Sequence, residues 1–90
     1  MKKQKVKLNQ SMIFEKLENE GFLYNPEKDE IFSLNETALL IIESLKNKER
    51  DAAEIVEIVF DIFNGEKEVI EKDVEEFILE LEKNNFLSCA

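Results

Sequence analysis

The side chains that carry most protein chemistry are nearly missing from these 90 residues. There is no histidine. The group that most often exchanges protons near neutral pH, and most often ligates metals, is therefore absent. The single cysteine, Cys89, stands next to the last residue. It has no histidine to activate it, and a loose terminus would not hold it in place, so an inert thiol is expected. One cysteine permits neither an internal disulfide nor a thiolate metal site, which fits a reducing compartment, most simply the cytoplasm. Carboxylates are plentiful, with 21 Asp and Glu against 12 Lys and Arg. They are scattered as on solvated faces, and the acids from Asp61 to Glu71 lack the spacing of a calcium loop. Two glycines, Gly21 and Gly65, cannot build a phosphate-cradling loop. The expectation is a chain without catalytic residues, metal or cofactor: not an enzyme.

Whatever this protein does must then come from surfaces, and surfaces are set by its elements. The length suits one small domain. No apolar run approaches the ~20 residues of a membrane span, and the N-terminal lysines have no apolar stretch behind them, so neither a membrane segment nor a signal peptide is expected. Residues 1–10 are polar and basic and read as a flexible tail. Residues 11–88 read as a single domain. Met12-Ile13-Phe14 opens a strand that continues through Glu18. Asn19-Glu20-Gly21 is a turn signal, and Phe22-Leu23-Tyr24 is a second, aromatic-rich strand. Asn25-Pro26-Glu27-Lys28-Asp29 is another turn, with Pro26 preset for its first corner. Glu30 to Leu34 is a third strand, alternating Phe32 and Leu34 with Ile31 and Ser33. Short connections imply an antiparallel meander.

The period then becomes helical. Asn35 is an N-cap candidate, and Ala38, Ile41, Ile42 and Leu45 form the stripe of a first helix, widened by Leu39 and Leu40. Asp51 with Glu54 three later resembles a capping box. It opens a second helix whose apolar residues, from Ala52 to Phe63, span an arc of about 200° at ~100° per residue. Such a helix is expected to be covered on more than one side. Asn64-Gly65 stops it, with Gly65 at the left-handed cap. A third helix runs from about Val69 to Asn84 with Ile70, Val74, Phe77 and Leu81 as its core stripe, and Phe86-Leu87 folds back as a closing apolar pair. The result is an α+β fold of order βββααα, and its helix-turn-helix with a sheet attached is winged-helix-like.

DNA binding is the reflex reading of that arrangement, and charge opposes it. From Glu66 to Glu82 the third helix carries Lys67 and Lys72 against eight acids. Net charge is −9, and phosphate backbones would repel such a reader. The alternative surface is the outer edge of the third strand. An exposed edge offers unpaired N–H and C=O groups to an extended peptide, and an adjacent helix supplies an apolar wall. A merely structural subunit and a winged-helix DNA-binding regulator remain the competing readings.

A resemblance adds to this. Phe22-Leu23-Tyr24-Asn25-Pro26, then Ile31-Phe32-Ser33-Leu34-Asn35-Glu36-Thr37-Ala38 and Ile41-Ile42, resemble the PqqD-like family, the coenzyme PQQ synthesis protein D homologues. So do Asp73-Val74-Glu75-Glu76-Phe77-Ile78-Leu79-Glu80-Leu81 and the closing Asn85-Phe86-Leu87. The resemblance covers about residues 11–88. Two turns depart from the pattern: Lys46-Asn47-Lys48 stands where Asp-Gly is usual, and Asn85 or Phe86 stands where Gly is usual. The resemblance implies a module that binds the leader segment of a ribosomally made precursor peptide without doing chemistry itself. It implies that the leader adds as a strand to the third strand and packs against the third helix. It also implies a tailoring partner such as a radical S-adenosylmethionine enzyme, a cyclase or a leader protease.

The candidate peptide-binding residues are accordingly Glu30, Ile31, Phe32, Ser33 and Leu34 on the strand, with Glu71, Val74, Glu75, Ile78 and Glu82 on the helix. Ile78, 60–80° off the core line at ~100° per residue, is expected at the apolar rim, touching ligand. Leu79 points away from the core and is either a plain exposed leucine or a contact for the partner enzyme or for a second copy in a homodimer. The acidic body favours a leader with basic residues, and neither nucleic acid nor membrane is an expected partner.

Overall fold

The structure is a computed structural model that describes residues 5–46 and 48–89. Its elements in chain order are β1 (Val6–Leu8), β2 (Ile13–Lys16), β3 (Gly21–Asn25), β4 (Glu30–Leu34), α1 (Glu36–Leu45), α2 (Ala52–Phe63), α3 (Lys67–Lys83) and β5 (Leu87–Cys89). The expected meander is β2-β3-β4, antiparallel throughout, and the expected three helices follow it. This is the α+β arrangement read from the sequence.

The local signals explain most of the boundaries. Asn35 caps α1, its side chain accepting from the Ala38 N–H at 2.9 Å. Asp51 and Glu54 form a reciprocal capping box at the start of α2. Asn25, a buried polar residue, is satisfied by accepting the Glu27 N–H at 3.0 Å, which opens the β3–β4 turn. Asp29 closes that turn with φ 51, a conformation its short polar side chain tolerates. Gly21 stands at the start of β3 rather than in the turn. A Cβ there would lie 2.5 Å from the Glu15 carbonyl oxygen of β2, with Leu39 Cδ1 of α1 a further neighbour at 3.1 Å, so the close approach of the β2 backbone requires glycine.

Four expectations are corrected. First, part of the basic tail is structured. Val6–Leu8 pairs antiparallel with Leu87–Cys89, and the Val6 and Arg50 backbones bond reciprocally at 2.8 and 3.0 Å. Val6 is buried. The Lys5-Val6-Lys7-Leu8 alternation carries a strand signal, but its partner is at the far end of the chain, beyond any local pattern. Residues 1–4 of that tail lie outside the described residues. The same pairing places Cys89 in a strand, not on a loose end. Second, Asn64, not Gly65, takes the left-handed conformation that ends α2, with φ 52. Third, α2 is not covered around its C-terminal end. Ile55, Val56 and Val59 are buried, whereas Ile62 and Phe63 are exposed. Fourth, the core stripe of α3 is Ile70, Val74, Ile78 and Leu81, with Phe77 half-buried beside it.

The close of α3 accounts for one of the two departures noted above. Asn85 adopts φ 64, its N–H donates to the Glu82 carbonyl at 3.1 Å, and the Phe86 N–H donates to the Leu81 carbonyl at 2.9 Å. These are the paired bonds of a Schellman close, with Phe86 and Leu81 as its buried apolar contact. Asn85 thus performs the turn that glycine usually performs. The other departure falls partly on Asn47, which lies outside the described residues.

Candidate functional site: the β4 edge and its groove

β4 is an outer strand of the three-stranded sheet, paired on one side with β3. Which of its backbone groups face outward follows from register. In antiparallel pairs, hydrogen-bonded and non-hydrogen-bonded positions alternate, and each residue of a central strand bonds to one neighbour only. The Leu17 N–H donates to the Glu20 carbonyl at 2.8 Å, which makes that pair a bonded one. Stepping along β2 and β3, Phe22 and Tyr24 then bond to β2, and Gly21, Leu23 and Asn25 are left to bond to β4. Their partners are Leu34, Phe32 and Glu30. The N–H and C=O groups of Ile31 and Ser33 therefore point away from the sheet, and no backbone partner meets them among the described residues. Two donors and two acceptors are displayed along an open edge.

A groove runs beside that edge. It encloses about 660 Å³, within the range of small-ligand and peptide side-chain pockets. Phe32, Ser33 and Leu34 of β4 line one side, and Ile70, Asp73, Val74 and Phe77 of α3 line the other. Thr37, Ala38 and Ile41 of α1 and Val59 of α2 complete the lining, with Phe63, Gly65 and Glu20 also contributing. The two walls touch through aromatic rings. Phe32 meets Phe77 edge-to-face at 6.0 Å and Phe86 at 5.8 Å, an arrangement that favours ring edges against ring faces. Phe32 thereby couples β4 to the close of α3.

The charges around the groove are of one sign. Glu20 and Asp73 line it, and no Lys or Arg does so among the described residues. Lys67, near its α3 end, is engaged with Glu57 of α2; that hydrogen bond, reinforced by charge, raises the lysine above its ordinary pKa. On the outer face of the sheet, the Tyr24 hydroxyl donates to Asp29 Oδ1 at 2.7 Å, and that bond raises the phenol above its ordinary pKa.

The candidate residues sort into three groups. Phe32, Ser33, Leu34 and Val74 come together in the groove, and Glu30 and Ile31 continue its edge. Glu71, Glu75 and Glu82 lie on α3 but do not line the groove: Glu75 is exposed, and Glu71 and Glu82 are half-buried. Ile78 is displaced altogether. It is only 6% exposed and belongs to the core, while Phe77, expected in the core, forms the groove wall. The two residues exchange places because α3 is rotated slightly from the phase assumed for it. Acids flank the apolar stripe on both sides, so the sequence alone does not say which flank faces β4. Asp73, Ile70, Thr37 and Phe63 were missed for the same reason: their place depends on how four elements meet.

Among the described residues no helix is long and apolar enough to cross a membrane, and no group of three or more His, Cys, Asp or Glu side chains could hold a metal ion.

Comparison with known proteins gives two matches. Residues 20–87 match the family described as coenzyme PQQ synthesis protein D (PqqD). Among solved structures, the chain is similar to TbiB1 in complex with the TbiA(beta) leader peptide. The TM-score is 0.82 at 18% identity, and the match covers 91% of this chain and 94% of that chain. At that identity the likeness is one of fold. No curated protein matches the chain.

Proposed function

Because the chain belongs to the coenzyme PQQ synthesis protein D family, we propose that it is a leader-peptide-binding module: it captures a ribosomally made precursor peptide by strand addition at β4 and presents it to a tailoring enzyme. One observation carries this reading. Ile31 and Ser33 display free backbone donors and acceptors directly beside an apolar groove walled by Phe32 and Phe77. Main-chain bonds would hold the peptide, and alternate side chains would enter the groove. The similar fold of TbiB1, itself in complex with a leader peptide, supports it.

Binding is the whole task in this reading. The domain lacks histidine, and homologues of this family are generally non-catalytic binding domains, so the chemistry belongs to the partner. A radical S-adenosylmethionine enzyme, a cyclase or a leader protease would suit that role, in the cytoplasm. The peptide-binding residues are Glu30 to Leu34, Val74 and, in place of Ile78, Phe77. Glu20 and Asp73 at the groove favour a leader with Lys or Arg beside its apolar anchors. The acids of α3 oppose the DNA-binding alternative.

The test is a titration with synthetic leader peptides from short reading frames beside its gene, with duplex DNA as the comparison. The reading requires saturable peptide binding and no DNA binding at physiological salt. DNA binding without peptide binding would overturn it.

A further inference from the structure

The outer face of the sheet carries an apolar row that stops at the β4 edge. Ile13 of β2 lies directly opposite Tyr24 of β3, and Tyr24 lies directly opposite Ile31 of β4. Residues paired in this way share a face, and cross-strand neighbours of this kind stabilise a sheet through side-chain contact. Ile13 is 46% exposed and Ile31 68% exposed, while Tyr24 between them is half-buried, its ring tethered by the hydroxyl bond to Asp29. The neighbouring row is different: Glu15, Phe22 and Ser33, polar at the edge.

An exposed isoleucine at an open sheet edge is a liability that edges usually avoid with charge. Here it occupies a position of defined geometry. Ile31 is one of the two β4 residues whose backbone bonds point outward. A strand that adds to β4 therefore places one residue directly opposite Ile31, with its side chain on the same outer face. The residue one step along points into the groove instead. We propose that Ile31 is a specificity-determining residue: the peptide strand carries a β-branched or aromatic residue opposite it, extending the Ile13–Tyr24–Ile31 row to a fourth strand, and is indifferent to side-chain type opposite Ser33. This rests on strand addition at β4 and deepens it. Recognition is then two-sided, with the groove reading one set of alternate residues and the outer row reading one residue of the other set.

The experiment is selection from a displayed random-peptide library on the wild-type protein, on Ile31→Lys and on Glu15→Ala, an outer-face change on β2 away from the β4 edge. Both positions are exposed, so the fold is expected to persist. Wild type and Glu15→Ala should enrich the same pattern, apolar at the groove-facing positions and at one outer-face position. Ile31→Lys should change that outer-face position to Asp or Glu and leave the groove-facing positions alone. As a milder second variant, Ile31→Thr should bind a wild-type-selected peptide about two- to fivefold more weakly, the size of one cross-strand pair. Identical selections on wild type and Ile31→Lys would overturn the role of Ile31 and leave strand addition standing. Enriched peptides that bind without shifting the backbone amides of Ile31 and Ser33 would overturn strand addition as well.

Discussion

Phe77 and Ile78 are neighbours in sequence with opposite surroundings. Phe77 is half-buried, stacks edge-to-face on Phe32 and lines the groove. Ile78 is sealed in the core. Phe77→Ala should therefore weaken peptide binding by ~1–2 kcal/mol, as an interface anchor does, and reduce stability less than its neighbour. Ile78→Ala should reduce stability by roughly 2–5 kcal/mol, as a cavity in a close-packed interior does. Chemical denaturation and peptide titration of the two variants separate these roles. A binding defect larger for Ile78→Ala than for Phe77→Ala, among folded protein, would contradict the assignment. The apolar character of both residues was legible from helical spacing. Their division of labour was not, because a rotation of a few tens of degrees about α3 exchanges them and only the position of Phe32 decides it.

At the scale of elements, the backbone bonds of β4 alternate between β3 and the open edge. The N–H of Ser33 faces outward, and that of Phe32 bonds into the β3 ladder. Ser33→Pro should leave the domain folded, since proline is tolerated where an edge N–H faces solvent, yet it should weaken peptide binding roughly tenfold, about one lost hydrogen bond. Phe32→Pro should damage the sheet itself. Circular dichroism with peptide titration distinguishes the two; equal binding by Ser33→Pro and wild type would remove backbone pairing at that residue from the account. Strands β2 to β4 and all three helices were visible in turn chemistry, capping residues and periodicity. The β1–β5 pair was not. Val6 and Cys89 lie opposite each other across nearly the whole chain, and nothing local to either end announces the other. The same holds for the groove, whose lining is drawn from β4 and all three helices.

The whole molecule carries net charge −9, and from Glu49 to Glu82 there are 13 acids against Arg50, Lys67 and Lys72. That charge was legible from composition, although the placement of Glu20 and Asp73 beside the groove was not. It should speed the arrival of a basic leader and slow an acidic one. Surface charges more than ~8–10 Å apart are largely screened at physiological salt. The association rate of a Lys- or Arg-bearing peptide should therefore fall as salt rises, while its dissociation rate changes little. A rate that is flat or rising with salt would remove the steering role and leave the edge intact. The edge itself is tested most directly by backbone amide shifts and hydrogen exchange of the isotope-labelled protein as peptide is added. The amides of Ile31 and Ser33 should shift and become protected from exchange, while those of Phe32 and Leu34, already bonded to β3, should show little gain in protection. Saturable binding that leaves Ile31 and Ser33 unprotected, or that protects β2 instead, would contradict strand addition at β4.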